Sequence, residues 1–218
     1  MHGKGLVMMV RCLEASGYLK SRGVRDAMLA VDRAHFVPES ERALAYADTA
    51  LPLGYGQTIS APGVVAFMLE RLEIKKGMKV LEIGTGSGYN CCLLSRLVGP
   101  GGRVTTVDIM PELSDAAKSN CAKSGVPCRN VEFVAGDGSR GYEPNAPYDR
   151  IMVTAAMPSL GFSHPLMGQL KRDGKLIAPV GTILYQDLML FDRKSGRRDL
   201  VLPVMFVPLI GKYGFRKD

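Results

Sequence analysis

A chain of 218 residues with 46% hydrophobic and 22% charged residues can bury one sizeable core, which excludes a disordered or fibrous protein. The formal charge is +7, but its surplus is scattered over Lys171, Arg172, Arg193, Lys194, Arg197, Arg198, Arg216 and Lys217. No basic run is interleaved with aromatics, so the sequence predicts a solvated basic face and no nucleic-acid partner. No apolar run reaches the length of a membrane span, and Leu6–Val10 is too short for a signal-peptide core. The expectation is a cytoplasmic monomer without a membrane partner. Five cysteines lack C-x-x-C or His/Cys ligand spacing, so no metal is expected. Cys12, Cys91, Cys92, Cys121 and Cys128 read as reduced packing residues, with the adjacent Cys91 and Cys92 pointing in different directions on a helix.

Along the chain, residues 6–46 read as short helices punctuated by Gly17 and Gly23, with one over Asp26–Arg33 ended by His35-Phe36-Val37-Pro38. Leu51 to Pro62 is rich in turn formers and can be neither a regular helix nor a central strand. A helix over Gly63–Leu72 follows, and Ser60 is its natural N-cap. From Lys79 strands and helices alternate. Strands are predicted at Lys79–Ile83, Arg103–Asp108, Val131–Gly136, Asp149–Thr154 and Lys175–Val180, with helices starting near Tyr89, Pro111 and Pro165. This rhythm predicts an α/β fold: a doubly wound, mostly parallel Rossmann-like sheet with helices on both faces. Gln186–Asp192 and Leu200–Phe206, joined by a turn at Lys194-Ser195-Gly196-Arg197, predict a C-terminal edge hairpin. The whole is expected as one domain, residues 1–62 forming an N-terminal helical and substrate-loop extension and 63–218 the cofactor-binding core.

The chemistry concentrates at Val80-Leu81-Glu82-Ile83-Gly84-Thr85-Gly86-Ser87-Gly88, a buried strand running into a glycine turn. Glycine lets backbone approach a ligand closely. The spacing is G-x-G-x-G, not the G-x-G-x-x-G of dinucleotide sites. Glu82 ahead of the turn suits a ligand with a cationic end. Asp108 closes the next strand, where a carboxylate can accept both hydrogen bonds of a ribose diol. Asp137 closes the third. The segment Glu82 to Gly88 resembles the first motif of class I S-adenosylmethionine-dependent methyltransferases, in which an acid at the Asp137 position faces the adenine edge.

A second block, Gly56-Gln57-Thr58-Ile59-Ser60-Ala61-Pro62, resembles the hallmark of the protein-L-isoaspartate O-methyltransferase family. Ala146-Pro147-Tyr148-Asp149, Pro179-Val180-Gly181 and Phe206-Val207-Pro208-Leu209 match further family blocks in order, so the resemblance runs from about Val24 to Gly211. It implies methyl transfer from S-adenosyl-L-methionine to the α-carboxylate of L-isoaspartyl residues in damaged proteins and peptides, a repair reaction. It implies cofactor contacts at Gln57, Ile59, Glu82, Gly84, Thr85, Gly86, Ser87, Gly88, Asp108, Ile109, Asp137 and Gly138, and catalytic roles for Ser60 and Thr58. The chain departs from the family pattern at Gly63-Val64-Val65, where some members carry a histidine, and at Leu170-Lys171-Arg172-Asp173-Gly174, which lacks one glycine. His2, His35 and His164 fall outside the matching blocks and are expected on the surface or in turns. An aspartyl-type carboxylate, with a pKa near ~4, is already ionised and can attack a methyl without a base. Two other readings stay open: a methyltransferase for a small molecule or RNA, and a non-catalytic cofactor-binding module. The N/D-P-P-Y/F motif of amino-methylating relatives is absent at Thr154-Ala155-Ala156-Met157-Pro158.

Overall fold

The computed structural model describes residues 3–126 and 128–216. Two amphipathic helices open the chain, α1 (Lys4–Ala15) and α2 (Arg22–Ala30), the latter capped by Ser21, which accepts from Val24 N. α2 thus starts and ends earlier than expected, and Gly23 lies inside it. A short hairpin, β1 (Leu51–Gly54) and β2 (Gln57–Ile59), precedes α3 (Pro62–Leu72). Then follow β3 (Lys79–Ile83), α4 (Tyr89–Val98), β4 (Arg103–Asp108), α5 (Pro111–Lys123), β5 (Val131–Ala135) and β6 (Tyr148–Val153). The chain continues with α6 (Pro165–Gln169), β7 (Leu170–Gly181), β8 (Gln186–Asp192) and β9 (Arg197–Val204).

These strands form a seven-stranded sheet in the order β5-β4-β3-β6-β7-β8-β9. Pairings from β5 to β7 are parallel; β8 and β9 add antiparallel at the edge, as the predicted hairpin requires. Successive strand residues alternate between faces. Val80, Val104, Met152 and Ile177 pack with the N-terminal helices, α3 and α4. Leu81, Ile83, Ile151 and Leu176 pack on the opposite face with Leu166 of α6 and Leu209. Strand order reverses between β4 and β6 around β3, and a ligand crevice belongs at the carboxyl ends of strands flanking such a switch point.

Two expectations fail here. Ser60 does not cap α3: Ala61 stands at the N-cap and no side chain caps the helix from there. The free amide of Gly63 is met instead by Asp48 Oδ1 at 2.6 Å, a partner 15 residues back that no local pattern specifies. Nor do Cys91 and Cys92 diverge into separate packing sites, since both reach Cys121. Cys12 is exposed and so is not a packing residue.

Candidate active site

A cavity of about 320 Å³ opens at the carboxyl ends of β3, β4 and β6. Three segments build its wall: Tyr55 and Gln57–Ser60 from the β1–β2 hairpin, Ile83–Ser87 with Tyr89 and Asn90, and Val107–Met110. Gly138, Thr154, Ala155 and the stretch Val207–Ile210 complete it. Of the predicted site residues, Gln57, Thr58, Ile59, Ser60, Gly84, Thr85, Gly86, Ser87, Asp108, Ile109 and Gly138 therefore line one cavity. Glu82, Gly88 and Asp137 do not.

The three glycines do different things. All have positive φ: 96° at Gly84, 52° at Gly86 and 88° at Gly88. A Cβ on Gly84 would strike Thr154 Oγ1, whose single hydroxyl proton is shared between the carbonyls of Ile83 at 2.9 Å and Gly84 at 2.7 Å. A Cβ on Gly88 would press on Ala117 at 3.0 Å, so this glycine serves the packing of α4 on α5. At Gly86 the nearest atom to such a Cβ is Leu53 Cδ1 at 3.8 Å, and the added group would stand in the open cavity.

Asp108 is 8% exposed at the end of β4. Its Oδ2 accepts from Gly86 N and its Oδ1 from Met110 N, each at 3.0 Å. One carboxylate thus fixes the glycine turn and the start of α5, while each oxygen retains a second lone pair.

Glu82 is fully buried, on the helix-covered side of the sheet with Val80. Its Oε2 accepts from Thr106 Oγ1 at 2.5 Å, and Thr106 Oγ1 lies 2.7 Å from Thr85 Oγ1. A hydroxyl has one proton, so Thr85 donates to Thr106 and Thr106 to Glu82. Glu82 therefore braces the glycine turn from behind, and the expectation that it faces a ligand's cationic end is corrected. Its other oxygen has no hydrogen-bond partner among the described residues. Burial raises its pKa to about 8, outweighing the hydrogen bond from Thr106. A group whose pKa rises on folding contributes stability that is complete below its unfolded value and lost as pH rises through the folded value. Relative to Glu82→Gln, the protein is expected to lose on the order of 4 kcal/mol between about pH 4.5 and about pH 8. Denaturant melts of both forms across that range check this; parallel stability curves would show that Glu82 does not titrate there.

Asp137 lies outside the lining of this cavity. Its Oδ1 accepts from Ser139 N and Oγ, and its Oδ2 from Lys212 N at 2.9 Å. The carboxylate pins the C-terminal segment, and only its neighbour Gly138 reaches the cavity. That segment runs beside Ala156 through Pro208 and supplies Val207–Ile210.

Behind the hairpin lies Arg33, 0% exposed. Its guanidinium donates to the carbonyls of Ala45 at 2.6 Å, Thr49 at 3.1 Å and Ser60 at 3.2 Å. Burial lowers its pKa, with Tyr89 and Asp48 opposing. Arg33, Tyr55, Asn90, Thr154 and Val207–Ile210 join the site without having been expected there from the sequence. Thr154 was accessible to the rule that ligand residues follow parallel strands; the others depend on tertiary contacts. Tyr55 sits at the hairpin tip, 66% exposed, with φ of 54°, a left-handed backbone rare outside glycine. His35 is exposed, whereas His164 is nearly buried and caps α6, accepting from Leu166 N; burial lowers its pKa.

Residues 6–214 match the family model described as protein-L-isoaspartate(D-aspartate) O-methyltransferase. The chain belongs to this family. Among curated members, the protein-L-isoaspartate O-methyltransferase of Methanopyrus kandleri is 48% identical over 96% of this chain and 92% of its own. That of Hyperthermus butylicus is 45% identical over 96% and 90%. A solved protein-L-isoaspartate O-methyltransferase superposes with a TM-score of 0.82 at 32% identity, covering 95% of this chain and 66% of that one. A Plasmodium falciparum structure, described as a candidate member in complex with S-adenosyl-L-homocysteine, has a TM-score of 0.83 at 26% identity, covering 93% and 97%. Family membership and the shared sheet with its antiparallel edge agree with the fold and family expected from sequence.

Proposed function

We infer that the protein transfers a methyl group from S-adenosyl-L-methionine to the α-carboxylate of L-isoaspartyl residues in proteins and peptides. The observation that carries this is one cavity whose walls join the cofactor-type glycine turn to the Gln57–Ser60 segment. The residues present suit the cofactor. Gly86 leaves a cradle that a side chain would fill, and Asp108 keeps free lone pairs toward the cavity. When bound, S-adenosylmethionine supplies an electrophilic methyl group on a sulfonium.

The protein's own part is binding, orientation and exclusion of water. We assign Asp108 to the ribose hydroxyls, and Thr85, Gly86, Ser87, Ile109 and Gly138 to the surrounding wall, with Gln57 and Ile59 facing it from the hairpin. Gly84 belongs to the same wall, while Glu82 and Gly88 act indirectly by shaping the turn. Asp108→Ala is expected to weaken S-adenosylhomocysteine binding by roughly 1–3 kcal/mol through stranded donors. Calorimetry checks this; unchanged affinity removes Asp108 from the role. Ser60 and Thr58 are neutral donors beside the place for the acceptor. An ionised carboxylate and a sulfonium lose charge as they react, so a cation paired directly to the nucleophile would stabilise the ground state more than the transition state. Neutral hydroxyls orient the carboxylate without that penalty. Arg33 stands behind a peptide group and fixes the Ser60 backbone without touching the cavity.

The N-terminal helices share a hydrophobic core with α3 and α4, which supports reading residues 1–62 as an extension of one methyltransferase unit. Among the described residues no helix is long and apolar enough to cross a membrane. We place the enzyme in the cytoplasm as a monomer acting on damaged proteins, not on nucleic acid. The deciding experiment is methyl transfer to paired peptides with L-isoaspartate or L-aspartate at one position. Labelling of the first alone is expected; equal labelling, or none with intact cofactor binding, overturns the acceptor.

A further inference from the structure

Four cysteines gather where α4 meets α5. Cys92 Sγ lies 2.9 Å from Cys121 Sγ and 3.0 Å from Cys128 Sγ, and Cys91 Sγ lies 3.9 Å from Cys121 Sγ. Non-bonded heavy atoms rest at about 3.5–4.0 Å, so both contacts of Cys92 are compressed. A thiophilic metal is one answer to converging sulfurs, and those of Cys91, Cys92 and Cys121 all lie within 4.8 Å of one another. Tetrahedral zinc with bonds of about 2.3 Å would hold its sulfurs roughly 3.8 Å apart, nearly an ångström wider than the Cys92 contacts. The carbonyl of Gly88 also accepts from Cys91 Sγ at 3.1 Å, and that lone pair would repel a metal-bound thiolate. A sulfur–sulfur bond is the other answer, and the sulfurs of Cys92 and Cys121 already lie in contact.

We propose that Cys121 and Cys92 form a peroxide-oxidised dithiol site whose product is a disulfide bridging α4 and α5. Cys121 is the reactive partner: Cys92 Sγ donates to Cys121 Sγ at 2.9 Å, so the thiolate is favoured at Cys121, and hydrogen bonding from the neighbouring thiols lowers its pKa. Burial pushes Cys91 well up and leaves it a bystander. Cys128 is half-buried and forms the solvent-side edge of the cluster. The Cys121 thiolate attacks one oxygen of hydrogen peroxide, the O–O bond breaks, and the other oxygen leaves as water after taking a proton. The resulting sulfenic acid is attacked by Cys92 sulfur. The S–O bond breaks, and hydroxide leaves as water with the Cys92 proton. Two thiols and one peroxide give one disulfide and two waters.

The bridge joins residues 29 apart in sequence. It ties together the two helices behind the cofactor turn, where Asn120 Nδ2 already donates to Ser87 O at 3.0 Å. The test starts from a Cys12→Ser background, which removes the exposed thiol. Treatment with stoichiometric hydrogen peroxide should consume two thiols, yield a Cys92–Cys121 linked peptide on non-reducing mapping, and raise Tm by roughly 5–10 °C, reversibly with dithiothreitol. Cys92→Ala should abolish the shift and leave a Cys121 sulfenic acid that dimedone traps. Peptide mapping of the Cys12→Ser protein decides the matter even if the second variant folds poorly. An unchanged thiol count, a Cys92–Cys128 link, or stoichiometric zinc that co-purifies and shields the thiols would each overturn the proposal.

Discussion

Gly86→Val is expected to weaken S-adenosylhomocysteine binding by at least about 100-fold, near 3 kcal/mol, and methyl transfer with it. Two independent costs act at this position. The backbone has a φ of 52°, a region that a β-branched residue occupies only with strain. The new side chain also enters open cavity, since among the described residues no atom beyond the chain neighbours lies nearer than 3.8 Å to the first added carbon. Strain alone would lower stability and leave affinity in the folded fraction intact. Calorimetry on the folded variant separates the two, and normal affinity would move the ligand away from this turn. The same substitution at Gly84 or Gly88 tests less, because there the added group meets Thr154 or Ala117 first.

Ser60→Asp is the second large effect. It places a negative charge beside an anionic acceptor, and turnover is expected to fall by about 100-fold or more. Ser60→Ala loses one hydrogen bond to a charged group, about 1.5–3 kcal/mol, and should slow turnover roughly 10- to 100-fold. Because Ser60 does not cap α3, neither change should cost the stability that a lost cap would. Activity should fall on the acid side near ~4, where the acceptor carboxylate protonates, with no further ionisation required near neutrality. Single-turnover methylation of an isoaspartyl peptide, with melting temperatures for both variants, gives the answer. Undiminished turnover in Ser60→Asp would refute the oriented-carboxylate mechanism.

The cofactor half of the site was legible because it is local. A strand, a glycine turn and a helix are encoded within Lys79–Val98, and Asp108 sits at the end of the neighbouring parallel strand in register with it. Direction was not legible. Glu82 and Asp137 occupy the expected positions, yet Thr106 draws one carboxylate into the core and Lys212 draws the other to the C-terminal segment. Sequence spacing places a carboxylate at a strand end and does not say which donors will claim it. The cap of α3 failed for the same reason, with Asp48 arriving from outside the local pattern. The cysteine cluster escaped because its members come from α4, from α5 and from the segment before β5 with no repeating interval.

Residues 207–210 are made last among those that wall the cavity, and they reach it by running beside Ala156 and anchoring on Asp137. A nascent chain stalled before residue 207 can pair β3, β4 and β6 and form the glycine turn, but one side of the crevice is still missing. Cofactor therefore meets a complete wall only after the closing segment has docked, and its full stabilisation of the fold is available only then.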